Sequence, residues 1–81
     1  MTQVEVISRL QTIFDQVFLE PVALSPQLSA DDVDEWDSLM QISLVLAVEK
    51  SFQVRFRVGE VEGTRNIGEF ADLILCRLNS N

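Results

Sequence analysis

Histidine is absent from this chain, and with it the residue that most often activates a serine. A hydroxyl nucleophile needs an adjacent base, itself held by a third group. Neither a base nor a metal constellation is present, so the sequence gives no basis for an enzyme. Cysteine is reduced to Cys76, which can form no internal disulfide and fits a reducing compartment. It falls near the end of the last predicted helix, belongs to no metal-ligand spacing, and reads as an inert thiol packed at the edge of the fold. Long apolar runs are missing too. The longest are a few residues, against roughly 20 needed to cross a bilayer. Glu5 and a helical periodicity near the start argue against a secretory signal. The expectation is a soluble, cytoplasmic protein without membrane insertion.

Positive charge is scarce. Six basic residues face thirteen acidic ones, a net charge of −7, and no basic residue lies between Arg9 and Lys50. Nucleic acid and anionic membranes select for positive surface and are excluded as partners. The 81 residues make one small domain, 1–81, burying roughly 60% of its unfolded surface, with little room for a catalytic cleft. The 47% hydrophobic content makes that domain globular rather than disordered. A monomer is expected.

What is present reads as helices. Thr2 and Glu5 form a T-x-x-E capping box, followed by Ile7, Leu10, Phe14, Val17 and Phe18 at helical spacing. Pro21 disfavours helix at Glu20 and should end this first helix there. A long connection from Pro21 to Asp37 follows, with Val22, Leu24, Leu28 and Val33 to pin it and a capping-box pair, Ser29 and Asp32, within it. Loops this long are often functional. Five of the seven residues from Asp31 to Asp37 are acidic, enough to steer basic proteins in a salt-sensitive way. A merely solvated acidic loop is an equal alternative.

A second helix should begin at Ser38, capped by Asp37 or by Ser38 itself, and run to about Ser51. Gln53 to Val58 alternates polar and apolar residues and reads as an extended connector, and Gly59 to Gly63 as a short helical turn. Asn66 and Glu69 open a last helix whose stripe is Ile67, Phe70, Ala71, Ile74 and Leu78. The fold class is all-α: a small three- to four-helix bundle with a long loop between the first and second helices.

The second helix is apolar around most of its circumference. At about 100° per residue, Leu44, Val48 and Phe52 make one face and Leu39, Ile42 and Leu46 another, with Met40 and Ala47 extending the arc. Such a helix is either central and covered or lends a face to a partner. We expect Leu39, Met40 and Ile42 at a partner surface together with Asp34 and Glu35, and Leu46 at the edge of an internal apolar channel. Trp36 is expected to anchor the long loop with its indole N–H reaching solvent, ahead of a role beside the site.

Ser38, at a helix N-terminus among carboxylates and without a base, reads as a residue modified by another enzyme. Asp37-Ser38-Leu39, the apolar helix after it, Glu49, Phe52 and the Val54-Arg55-Phe56 exit together resemble acyl carrier proteins, over nearly the whole chain. The resemblance implies 4′-phosphopantetheine on Ser38, placed by a phosphopantetheinyl transferase with Asp37 helping to position the serine. It also implies acyl thioesters on the arm, served by acyl-loading and acyl-transferring enzymes, with the acyl chain sheltered in the bundle. Fatty-acid carriers place carboxylates along this helix, whereas this chain has Met40, Gln41 and Ser43. Together with the Trp36-Asp37-Ser38-Leu39 form, that points to a specialised carrier with a more apolar contact. An aminoacyl or peptidyl carrier would use Ser38 identically. An unmodified helical interaction domain is the alternative from another class. A calcium loop from Asp32 is improbable on its ligands, since Trp36, Asp37 and Ser43 stand where an acid or amide, a glycine and a glutamate are needed.

Overall fold

A computed structural model describes residues 1–57 and 59–79, so Val58 of the expected connector lies outside the described residues. Among the described residues there are three α-helices, α1 (Gln3–Val17), α2 (Ser38–Phe52) and α3 (Ile67–Asn79), with a 3-10 turn at Ala30–Asp32. No strand occurs among them. Helix α1 packs against both α2 and α3, and no helix is long and apolar enough to cross a membrane.

Helix α1 starts at the capping box foreseen in the sequence. The Thr2 hydroxyl accepts from the Glu5 amide at 3.3 Å, and the Glu5 carboxylate accepts from the Thr2 amide at 3.0 Å. That second bond, above all, holds the Glu5 carboxyl below its ordinary value. The helix ends at Val17, three residues before the boundary expected from Pro21. Phe18 has already turned extended and inward, and the Glu35 carboxylate takes the amides of Leu19 (2.8 Å) and Glu20 (3.2 Å). A contact distant in sequence thus overrides the local proline signal. The inward face also differs from the expected stripe. Val6, Leu10, Ile13 and Phe14 are buried, while Ile7 and Val17 are half-buried at its margin.

The long loop is bound along its length. Gln11 on α1 donates to the Val22 carbonyl at 2.7 Å and accepts from the Leu24 amide at 3.0 Å. Further on, the carbonyls of Leu28 and Pro26 accept from the amides of Ile67 (2.8 Å) and Gly68 (2.9 Å). These loop carbonyls satisfy amides of the first turn of α3 that have no partner within the helix. Glycine at position 68 lets the loop come this close, since a Cβ there would sit 3.1 Å from the Pro26 carbonyl oxygen and push it back slightly. Asn66 completes the cap by accepting from the Glu69 amide at 2.9 Å, and Glu69 accepts from the Arg65 amide at 3.0 Å.

Helix α2 runs one residue beyond the expected end and closes on Gln53 in the left-handed region, φ 56°. Glu49 makes that turn possible: its carbonyl accepts from the Val54 amide, and its carboxylate from the Phe56 amide at 2.9 Å. Arg9 ties α1 to the same end, donating to the Ser51 carbonyl at 2.8 Å and lying 4.4 Å from the centre of the Phe52 ring. A cation near a helix C-terminus is favourably placed against the helix dipole. The expected turn at Gly59–Gly63 is present as a hydrogen-bonded turn, not a helix, with the Gly63 amide donating to the Gly59 carbonyl. Glu60 in that turn accepts from the Arg57 amide and pairs with Arg77, both of which lower its carboxyl pKa.

Leu44, Val48 and Phe52 form the inward face of α2, the first two fully buried. Leu46 lies about 200° from both Leu44 and Val48 on the helix, and it is 61% exposed. The expected placement at an internal channel is therefore corrected: the residues two positions either side of Leu46 occupy the interior, which turns Leu46 to solvent. Leu44→Ala should cost about 2–5 kcal/mol, whereas Leu46→Ala should stay within about 0.5 kcal/mol of the parent. Urea denaturation of the two variants measures both.

Candidate functional site

The sequence before α2 builds the site through its own acids. Asp37 is the N-cap, extended at φ −100°, ψ −174°, with its carboxylate accepting from the Met40 amide at 2.8 Å and its carbonyl from the Gln41 amide at 2.9 Å. Of the two caps the sequence allowed, Asp37 is therefore the one used. Ser38 becomes the first helical residue and is exposed. Among the described residues, the amides of Ser38 and Leu39 have no protein acceptor, as expected for a first helical turn.

The other acids of the run divide by role. Asp32 accepts from the Ser29 amide at 3.0 Å and stabilises the 3-10 turn. Glu35, expected at the partner surface, is half-buried and spends its carboxylate on Leu19 and Glu20. Asp31 and Asp34 are exposed and make no hydrogen bond or ion pair among the described residues. Three of the five acids of the run, Asp32, Glu35 and Asp37, thus hold backbone amides in place, while only Asp31 and Asp34 make no hydrogen bond among the described residues.

Trp36 packs edge-on against α1, with its ring centre 5.2 Å from that of Phe14 and 6.0 Å from that of Phe18. Anchoring the loop is the role the sequence favoured. The indole N–H differs from expectation: it donates to Gln41 Oε1 rather than to solvent. Gln41 stands on the inward side of α2, roughly 20° from Val48 on the wheel, where an apolar residue would be usual. Trp36 supplies the partner that makes it tolerable there, and a lone amide on an apolar face was the available signal for it.

On the opposite side of α2, Leu39 (75% exposed), Ile42 (59%) and Leu46 (61%) form an outward apolar stripe beginning one residue after Ser38. Met40 turns partly inward and packs against the core. On Trp36's flank lies a depression of about 430 Å³ between the 3-10 turn, the start of α2 and residues 61–66, with Gln41, Arg65 and Asn66 on its wall. The sequence reading placed none of these three at a binding site, taking Asn66 only as a helix cap and Gln41 only as an uncharged position on α2.

No protein-family model matches the chain, and no curated protein matches it significantly. The fold does have solved relatives. A holo acyl carrier protein from Geobacter metallireducens, determined in solution by NMR, aligns with a TM-score of 0.84 and 34% sequence identity, over 93% of this chain and 87% of that one. The chain belongs to the acyl carrier protein family. It is accordingly a carrier and not an enzyme, and the all-α fold with a long first loop is the family's.

In this carrier the Asp37 cap sets where the helix begins, and so which residue stands at its open end. Asp37→Ala should lower stability by about 1 kcal/mol, and Asp37→Asn should retain most of it because the amide oxygen can still accept from Met40. Thermal melts followed by circular dichroism measure the pair.

Proposed function

We propose that the carrier is loaded on Ser38 with 4′-phosphopantetheine by a separate transferase, and presents acyl groups held on that arm to partner enzymes. The observation that carries this reading is the exposed Ser38 hydroxyl one residue past the Asp37 cap. The surroundings suit a phosphodiester at that point. The first-turn amides of Ser38 and Leu39 are without protein acceptors among the described residues, and a helix N-terminus favours negative charge. The nearest carboxylate in sequence, on Asp37, is already engaged by the Met40 amide. When bound, the group supplies a flexible arm and a terminal thiol that holds acyl groups as thioesters. The protein's own part is to keep Ser38 outward, to hold its helix end in place and to offer a docking face. The lone thiol, Cys76, is compatible with work in the cytoplasm.

Partners dock, on this reading, over Leu39 and Ile42, with Asp34 adding steering for a cationic rim. From Ser38 to Val48 the helix carries no ionisable side chain, so apolar burial rather than ion pairing dominates the contact. Met40 contributes less than the sequence implied because it packs partly against the core. Glu35 is held back from such a contact, because it is half-buried and its carboxylate is tied to the amides of Leu19 and Glu20.

Incubation with a broad-specificity phosphopantetheinyl transferase and coenzyme A should add one phosphopantetheine to the intact mass, and Ser38→Ala should remain unmodified. A wild-type protein left unmodified by several transferases would instead support an interaction domain without a prosthetic group. Leu39→Ser combined with Ile42→Ser should weaken transfer to a partner by about tenfold or more, from lost apolar burial, without lowering the melting temperature. A fall in stability of more than about 1 kcal/mol would place these side chains in the core instead.

A further inference from the structure

The depression beside α2 has a floor and a wall of different chemistry. Its floor is Val61 and Phe70, both almost fully buried. Its wall carries donors and acceptors that no protein group uses among the described residues. Gln41 gives its oxygen to Trp36, which leaves its amide nitrogen without a protein acceptor. Asn66 gives its oxygen to the Glu69 amide and leaves its own NH2 in the same condition. The Arg65 guanidinium makes no ion pair among the described residues, and the carboxylates of Asp31 and Glu62 accept no hydrogen bond there. The wall therefore offers three sets of donors and two acceptors within one concavity, whose lining includes Trp36, two residues before Ser38, and Gln41, three residues after it.

We propose that this depression binds the acyl cargo, and that it selects a short neutral acyl group bearing a hydroxyl over a plain alkyl chain. This rests on the reading of Ser38 as the attachment point. A hydroxyl both donates and accepts, so it can meet Gln41 or Asn66 as an acceptor and Asp31 or Glu62 as a donor. An alkyl chain would cover these groups without replacing the water they hold, which costs free energy for each polar group left unpaired. A carboxylated cargo meets Asp31 and Glu62, and an ammonium meets Arg65. The mixture of both charges on the wall thus favours a cargo with none. Phe70 and Val61 set the depth and give the carbon skeleton an apolar base.

The test compares three loaded forms of the intact protein, made from the matching coenzyme A thioesters with a tolerant transferase: butanoyl, 3-hydroxybutanoyl and succinyl. The hydroxybutanoyl form should melt highest, about 4 °C above the butanoyl form, the shift that one net hydrogen bond gives in a protein of this size. Its backbone amide shifts relative to the butanoyl form should concentrate at Gln41 and residues 62–66. Arg65→Leu, on an exposed side chain, and Gln41→Leu should each reduce the difference. Equal melting of the butanoyl and hydroxybutanoyl forms, a higher melting butanoyl or succinyl form, or shifts confined elsewhere would overturn the proposal while leaving the attachment site intact. Failure to load any of the three, with coenzyme A also refused, would remove the attachment site and the proposal with it.

Discussion

The burial of Leu44, Val48 and Phe52 fixes the rotation of α2, and every other feature of the site is a consequence of that rotation. These residues stand four apart, and the first two are wholly removed from solvent. With them inward, Leu39, Ile42 and Leu46 must face outward, and Ser38 must lie on an exposed flank. The hydrophobic contribution is large, at about 1.5–3 kcal/mol for each fully buried aliphatic or aromatic side chain. No single polar contact at the site is strong enough to counter it. Asp37 and Glu49 then fix the two ends, one by capping the first turn and the other by holding the reversal after Phe52.

The acidic loop has a double use that follows from its position between two helices. It must close over the bundle, and its backbone groups need partners once it does so. Gln11 serves the beginning of the loop, the first turn of α3 serves its middle, and Glu35 returns to the end of α1. Trp36 adds an apolar anchor on Phe14 and Phe18. These contacts hold the approach to Ser38 from several sides, so the proposed attachment point sits on a supported helix end. The carboxylates left over, Asp31 and Asp34, remain available to solvent and to partners.

The parts of this arrangement governed by local rules were readable in the sequence. The Thr2–Glu5 box, the start of α2 after Asp37, the inward triad of α2 and the cap at Asn66 all follow from spacing over three or four residues. The exposed place of Ser38 as the first residue of α2 was readable in the same way, from the acid before it and the apolar run after it. What was not readable depended on contacts between distant segments. Nothing near Phe18 signals that Glu35 will take the amides of Leu19 and Glu20, so the end of α1 was placed too late. Val6 and Ile13 were missed because two apolar faces of α1 compete, and only packing against α2 and α3 decides between them. Leu46 was misplaced for a related reason: an apolar residue on a doubly apolar helix does not declare which side is covered. The carboxylates of Asp31, Asp34 and Glu35 look alike in sequence and differ entirely in employment.

A helix with a buried face, a free apolar face and an open N-terminus is suited to carrying rather than to catalysis. It positions one hydroxyl, keeps it accessible and leaves an exposed apolar stripe next to it. The most direct measurement of that account is fragmentation of the transferase-treated protein by tandem mass spectrometry, which locates the added group. The account predicts that all of it is on Ser38. Attachment at Ser29, Ser43 or Ser51 would contradict it, because those hydroxyls do not stand at the open end of α2.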